Sequence, residues 1–301
     1  MTDAAAPPPG PRFNYVDIGE RLHAYRLAAG LRSDDVAQRL GLSRAAVYKL
    51  ERGEIVKIET LERLAVLFGV SLANLLGVEV EYHDSAIAYF ERMRQLELRS
   101  TRIVAHFDPF SFLLTSDGYD ATLRAMLIES TPPSRADAAW QRLVEHVLAI
   151  LAERKAAFAR TRPQLTTLVG LPQIDQFLHH GMVGRLGLPP GVQLERKLAA
   201  RREVARLVEL MRAAPAEWRI GVVADSLPGE TFQMCEGSGD TYVAASPFRL
   251  GQLPNLRTGI ATITTSPDAV AMHRNLARRL WAGAATGEAG AALLLERLDR
   301  V

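Results

Sequence analysis

Glycines at positions 30, 41, 53, 69 and 77 cut the stretch from Asp17 to Gly77 into short segments, and this spacing constrains the fold more than any other feature of the chain. Between the glycines, apolar residues recur three and four apart: Ile18, Leu22 and Tyr25; Val36, Ala37 and Leu40; Val47 and Leu50; Leu61, Leu64, Ala65 and Phe68; Leu72, Leu75 and Leu76. Residues at that spacing share one face of an α-helix. A glycine just past such a run accepts the left-handed conformation that ends a helix. The pattern predicts five short helices and a small all-α unit over 12–78.

The segment SDDVAQRLGLSRAAVYKLERG, residues 33–53, predicts two short helices that cross closely. Ala37 is small enough for the crossing, and Gly41 tolerates the positive φ of the turn. Ser43 stands where an N-cap belongs. Val47 and Leu50 fall on the inner face of the second helix, while Arg44, Ala45, Tyr48 and Lys49 fall on its outer faces. Together with the Arg26-to-Gly30 turn, the Leu50-Glu51-Arg52-Gly53 ending and the Thr60-Leu61 start of a fourth helix, these features resemble the Cro/C1-type (XRE family) helix-turn-helix. The resemblance covers about a fifth of the chain.

That resemblance implies double-stranded DNA as the partner and helix 43–51 as the recognition helix. Arg44 and Lys49 would then reach base edges, where a bidentate Arg–guanine contact is worth about tenfold or more in discrimination. Ala45 would meet a thymine methyl and Tyr48 sugar or phosphate. Ser43, Arg52 and Lys57 would contact phosphates, which position rather than specify. The resemblance also implies an Arg26–Glu51 salt bridge that orients the reading helix. Two positions depart from the family. Arg32 stands where Ser or Thr is common, and Ser33 where a phosphate-anchoring Gln is common. Ser33 is suited to cap, and Asp34 and Asp35 suit the positive end of the helix dipole. They also bring negative charge near DNA, which leaves a phosphate contact from Ser33 open, with Arg32 placed to compensate.

Charge tempers the affinity expected of one such unit. Residues 12–77 carry ten basic and eight acidic side chains, a net of only +2, and the whole chain is also +2. Dimerisation onto a two-fold symmetric operator would compensate, because half-sites one helical turn apart engage two units at once. A homodimer is therefore expected.

The opening MTDAAAPPPGPR has neither an apolar core nor an early basic cluster and predicts no signal peptide. Residues 1–11 are expected to be a disordered arm. No run of about 18 apolar residues predicts a membrane span, and the lone cysteine, Cys235, fits a reducing cytoplasm. Two roles stay open for Cys235: packing, or a thiol switch if exposed.

Beyond residue 78 a mostly helical middle is expected over 79–160, serving as linker or dimerisation region. An α+β region with a small, mainly antiparallel sheet is expected over 161–301. Residues 81–99 read as one helix with Tyr82, Ala86, Tyr89, Phe90, Met93 and Leu96 on its apolar face. Strand-like pieces fall at Arg102–His106 and Phe110–Thr115. Helices are expected at 118–128, 136–160, 172–181 and 193–213, with loops at 130–135 and 187–191. Further strands are expected at Arg219–Ala224, Thr231–Cys235, Thr241–Ala245 and Gly259–Thr264. EGSGD at 236–240 reads as a hairpin turn, and two helices close the chain.

Three uses of this second region stand open: a sensor and dimerisation domain that binds a small-molecule effector, a structural or partner-binding module, and an enzyme. HExxH, GxxxxGK[ST] and GxSxG are absent. Asp175 and His179 share a helical face beside His180, but no third ligand is apparent. No catalytic residue, metal or cofactor is therefore expected. Arg249, in the loop after a strand, is suited to the surface or to an anionic ligand.

Overall fold

The computed structural model describes residues 14–54, 57–78, 80–131, 138–213, 215–225 and 227–300. The expected arm at 1–11 and most of the 130–135 loop lie outside them. The chain divides into two compact units, Met1–Val78 and Glu79–Val301. Among the described residues, no helix is long and apolar enough to cross a membrane.

The first unit is five helices: α1 (Tyr15–Ala28), α2 (Ser33–Leu40), α3 (Arg44–Glu51), α4 (Ile58–Phe68) and α5 (Leu72–Leu76). Asn14 starts α1, its side-chain oxygen accepting from the Val16 amide at 3.1 Å. Gly41, at φ +66°, turns the chain from α2 toward α3. Leu22, Val36, Val47, Leu64 and Leu75 are buried among the helices, and complete burial of such a side chain contributes about 1.5–3 kcal/mol. Gly19 lets α1 approach the end of α3: a Cβ there would lie 2.6 Å from the Glu51 carbonyl oxygen and the Gly53 nitrogen. Buried Arg21 donates to the carbonyls of Leu75 at 2.9 Å and Leu76 at 2.7 Å. These carbonyls end α5, where helix backbone acceptors lack partners and a cation is favoured.

The second unit is built on one eight-stranded sheet. In chain order its elements are β1 (Val80–His83), α6 (Ala86–Arg99), β2 (Ser100–His106), α7 (Asp117–Glu129), α8 (Ala138–Thr161), β3 (Gln164–Gly170), α9 (Leu171–His180), α10 (Pro190–Ala213), β4 (Trp218–Val223), β5 (Thr231–Gly237), β6 (Thr241–Ser246), β7 (Ala261–Thr264), α11 (Pro267–Ala282), β8 (Ala285–Thr286) and α12 (Gly287–Arg300). The strand order is β1-β7-β6-β5-β2-β3-β4-β8. The β2–β3 and β3–β4 pairs are parallel and the rest antiparallel. Strand alternation sorts β5 into two faces. Phe232 and Met234 pack with Val104 and Val243 against Val270 and Ala277 of α11. Gln233 and Cys235 face the other way, where Gln233 donates to Glu97 of α6 at 2.8 Å.

Several expectations are corrected. The boundary drawn at residue 160 is crossed by the sheet, because β2 from the helical middle pairs with both β3 and β5. The helix expected over 81–99 begins only at Ala86. Residues 80–83 pair with β7 instead, and Tyr82 is exposed on that strand rather than part of the helix's apolar face. Phe110–Thr115 is not a strand; it contains a single turn of 3-10 helix at Phe112–Leu114, all three buried. β1, β3 and β8 were not anticipated. The hairpin expected at 236–240 does join β5 to β6.

Candidate nucleic-acid interface

Ser43 caps α3 by accepting from the Ala46 amide at 3.1 Å. This sets the helix so that Val47 is buried and Leu50 half-buried, while Ser43, Arg44, Ala45, Tyr48, Lys49 and Arg52 are exposed. Lys57, at the start of α4, is exposed as well. Ala37 and Gly41 occupy the crossing and the turn between α2 and α3 as the spacing requires. Seven of the eight DNA-contact candidates therefore lie at the surface of the first unit.

The exception is Ser33. It is buried and hydrogen-bonds Tyr48. Burial gives this hydroxyl less access to a backbone phosphate than the other seven candidates have. Nor does it cap α2: the cap is Arg32, whose backbone N–H donates to Asp35 Oδ2 at 2.7 Å. That bond from Arg32 holds the Asp35 carboxyl below its ordinary range.

The outer face of α3 is wired to itself and to neighbouring acids. Arg44 Nη2 donates to the Tyr48 hydroxyl at 3.1 Å, and the guanidinium lies 5.6 Å from the ring centre. Hydrogen bonds from Arg44 and then Ser33 hold the Tyr48 phenol below its ordinary pKa. Arg44 Nε lies 3.4 Å from Asp34 Oδ1, and Lys49 Nζ lies 3.5 Å from Glu54 Oε2. All four side chains are more than half exposed. Such pairs contribute little in water, so a phosphate or a base edge can displace the carboxylates.

The inner face is held differently. Arg26 Nε donates to Glu51 Oε1 at 2.5 Å and Arg26 Nη2 to Glu51 Oε2 at 3.0 Å, a two-point grip. Arg26 Nη1 also donates to the Leu31 carbonyl at 3.0 Å. Both side chains are under a tenth exposed. Burial alone would raise the Glu51 carboxyl. Hydrogen bonds from His23 and Arg26 outweigh it and hold the group below its ordinary pKa. The expected pair is thus present, and its effect is to fix the end of α3 against α1.

Three residues of this scaffold were missed. His23 Nδ1 lies 2.9 Å from Glu51 Oε2; its place one turn before Arg26 on α1 was the available signal. Gly19 permits the close approach already described. Arg63 Nη2 donates to the Leu40 carbonyl at 2.8 Å, tying α4 to the end of α2.

Candidates in the second unit fall out differently. His179 and His180 have ring centres 5.2 Å apart, and Asp175 pairs with Arg297 at 3.3 Å. Among the described residues, no group of three potential ligands could hold a metal ion. Cys235 is buried, and burial pushes its thiol up to about 12, which assigns it to packing rather than to a thiol switch. Arg249 is exposed, as a surface position requires, and also borders a cavity.

No curated protein and no solved structure matches the chain. Residues 17–76 match the family model described as a helix-turn-helix domain, so the first unit is a helix-turn-helix domain of the kind carried by DNA-binding regulators.

Proposed function

We propose that the chain is a cytoplasmic, sequence-specific transcriptional regulator that lays α3 in the major groove of double-stranded DNA. One observation carries this: α3 presents Arg44, Ala45, Tyr48 and Lys49 outward while Arg26 grips Glu51 at its inner end. A helix so held can read base edges without first being ordered. Arg44 and Lys49 are the readers. Ser43, Arg52 and Lys57 seat the domain on phosphates.

The net charge of +2 over residues 12–77 favours two domains acting together, so the chain works as a homodimer on a two-fold symmetric operator. Repression is the favoured outcome, because occupancy of an operator alone suffices for it. The Glu79–Val301 unit serves as sensor and dimerisation module; an aromatic cavity within it supports that role over a purely structural one.

Selection from a random duplex library, run with the wild type and with Arg44→Ala, tests the proposal. A defined preferred sequence is expected, with the preference at one position lost in Arg44→Ala and affinity down about tenfold or more. No enriched sequence would end the proposal, and an unchanged preference would remove Arg44 from the reading face. A mass measurement showing only monomer with and without the selected duplex would end the dimer.

A further inference from the structure

The second unit contains a cavity of about 40 Å³ between the loops that follow β2 and β6. A single water needs roughly 10–15 Å³ measured as room for a water-sized sphere, so the space is larger than one solvent molecule needs. Its walls are aromatic. Tyr89, Phe90 and Phe248 form one cluster, with ring centres 5.4–6.4 Å apart. Phe112 and Tyr119 meet edge-to-face at 6.0 Å on another side.

Most polar groups in the lining are already spent. Arg154 is gripped at two points by Glu97, at 2.9 and 2.7 Å. Tyr119 donates its hydroxyl to the Leu250 carbonyl at 2.7 Å, and Thr231 donates to the Ser246 carbonyl at 3.0 Å. Two oxygens are left over. Asp108 Oδ1 and Ser111 Oγ are buried and have no hydrogen-bond partner among the described residues, and Ser111 is only 1% exposed. A buried polar atom without a partner costs about 1–3 kcal/mol, so a ligand that hydrogen-bonds both of these would recover part of that cost on entering the cavity. The loop holding Asp108 is pinned from behind, because a Cβ on Gly251 would lie 2.8 Å from the Asp108 carbonyl oxygen.

We propose that this cavity binds a small primary amine as its ammonium ion. The ammonium donates to Asp108 Oδ1 and Ser111 Oγ, and the apolar body, about the size of a branched four-carbon chain, lies among the rings. A carboxylate oxygen that only accepts, beside a hydroxyl that can also accept, suits a ligand with several N–H groups, which an ammonium supplies. Aromatic faces carry negative charge density and favour a cation beside them. Arg249 also lines the cavity. Its charge opposes the ammonium, but it is exposed and screened by solvent. The amine's role as an effector rests on the regulator reading above, whereas its binding does not.

Isobutylamine, isobutanol and isobutyrate are matched in shape and differ only in the polar end. Each is titrated at millimolar concentration into the full chain without DNA, read by chemical shifts of the Phe248–Gly251 and Asp108–Phe112 amides. Saturable binding of isobutylamine is expected, weaker binding of isobutanol and none of isobutyrate. Asp108→Asn should weaken the amine about tenfold or more, and Ser111→Ala about fivefold. Should Asp108→Asn fail to fold by its thermal melt, Ser111→Ala decides alone. Isobutanol or isobutyrate binding as tightly as the amine, full affinity in the variant that decides, or no saturable shift with any of the three overturns the proposal. A chain that takes the amine and enriches no duplex fails the regulator reading only.

Discussion

The two units deploy the same chemistry, arginine against carboxylate, to opposite ends. In the second unit Arg154 and Glu97 are both about 5% exposed and make two hydrogen bonds. Arg92 is buried outright and bonds Glu81. In the first unit Arg26–Glu51 is of that kind, while Arg44–Asp34 and Lys49–Glu54 stand in solvent at 3.4 and 3.5 Å. A buried pair is hard to separate because each partner would be left uncompensated. An exposed pair separates easily because water replaces the partner. The contrast teaches how one short helix holds its position on one side and exchanges partners on the other.

The largest test breaks the buried side. Glu51→Ala leaves Arg26 charged in a site it shares with little water. Loss of one partner of a buried pair costs about 3–5 kcal/mol. The lower end is expected here, because Arg26 keeps its bond to the Leu31 carbonyl. Amide hydrogen exchange of α3 should accelerate accordingly while that of β2 and β5 stays unchanged; unaltered protection of α3 would show that the pair does not hold the helix. Acid should act in the same direction. Glu51 is held below its ordinary value of 4.5, so its contribution is complete above the unfolded pKa and is lost as pH falls through the lower folded one. The first unit should therefore hold through neutral pH and weaken only in acid below about 4.5, and Glu51→Gln should remove that dependence.

These locks also mark how far the sequence alone could be read. The five helices were legible because helix ends are local: Gly41, Gly69 and Gly77 each take positive φ just where an apolar run stops. The Arg26–Glu51 pair was legible only through family resemblance, since the two lie 25 residues apart. His23 and Gly19 were missed because their roles appear only once α1 meets α3. In the second unit, strands with turn signals on both sides, such as Thr231–Gly237, were legible. β3 was not, because a strand paired in parallel on both sides, with β2 and β4, and largely buried has neither clean alternation nor a hairpin. The β1 residues were read as helix because Tyr82 fits the apolar period of α6, and only pairing with β7 separates them. The cavity was beyond reach, as its lining comes from segments between residues 89 and 251.

A smaller effect tests the packing beneath the buried lock. Gly19→Ala adds a Cβ 2.6 Å from the backbone of Glu51 and Gly53, which cannot give way as a side-chain tip would. Overpacking of this kind costs about 1–3 kcal/mol. Alanine's better helix propensity returns up to about 1 kcal/mol. A net loss of stability in the first unit is expected in thermal or denaturant melts, together with weaker duplex binding as α3 is pushed off α1. A neutral or stabilising result would mean that α1 and α3 can separate freely, and that the buried side of the comparison is softer than its pair suggests.

The smallest effect sharpens the exposed side. Asp34 lies 3.4 Å from Arg44 and competes with DNA for that guanidinium. Asp34→Asn removes the competitor and one negative charge beside the proposed phosphate path, while both side chains remain more than half exposed and free to rearrange. Duplex affinity should rise, by less than about fivefold because exposed pairs are worth so little. The gain should be largest at low salt and fade as ionic strength screens it. The same substitution placed on Arg44→Ala should yield less than it does alone, because the pair no longer exists to be broken. Equal gains in both backgrounds would show that Asp34 acts on DNA through its field alone, and that the Arg44–Asp34 contact does not restrain the reading helix.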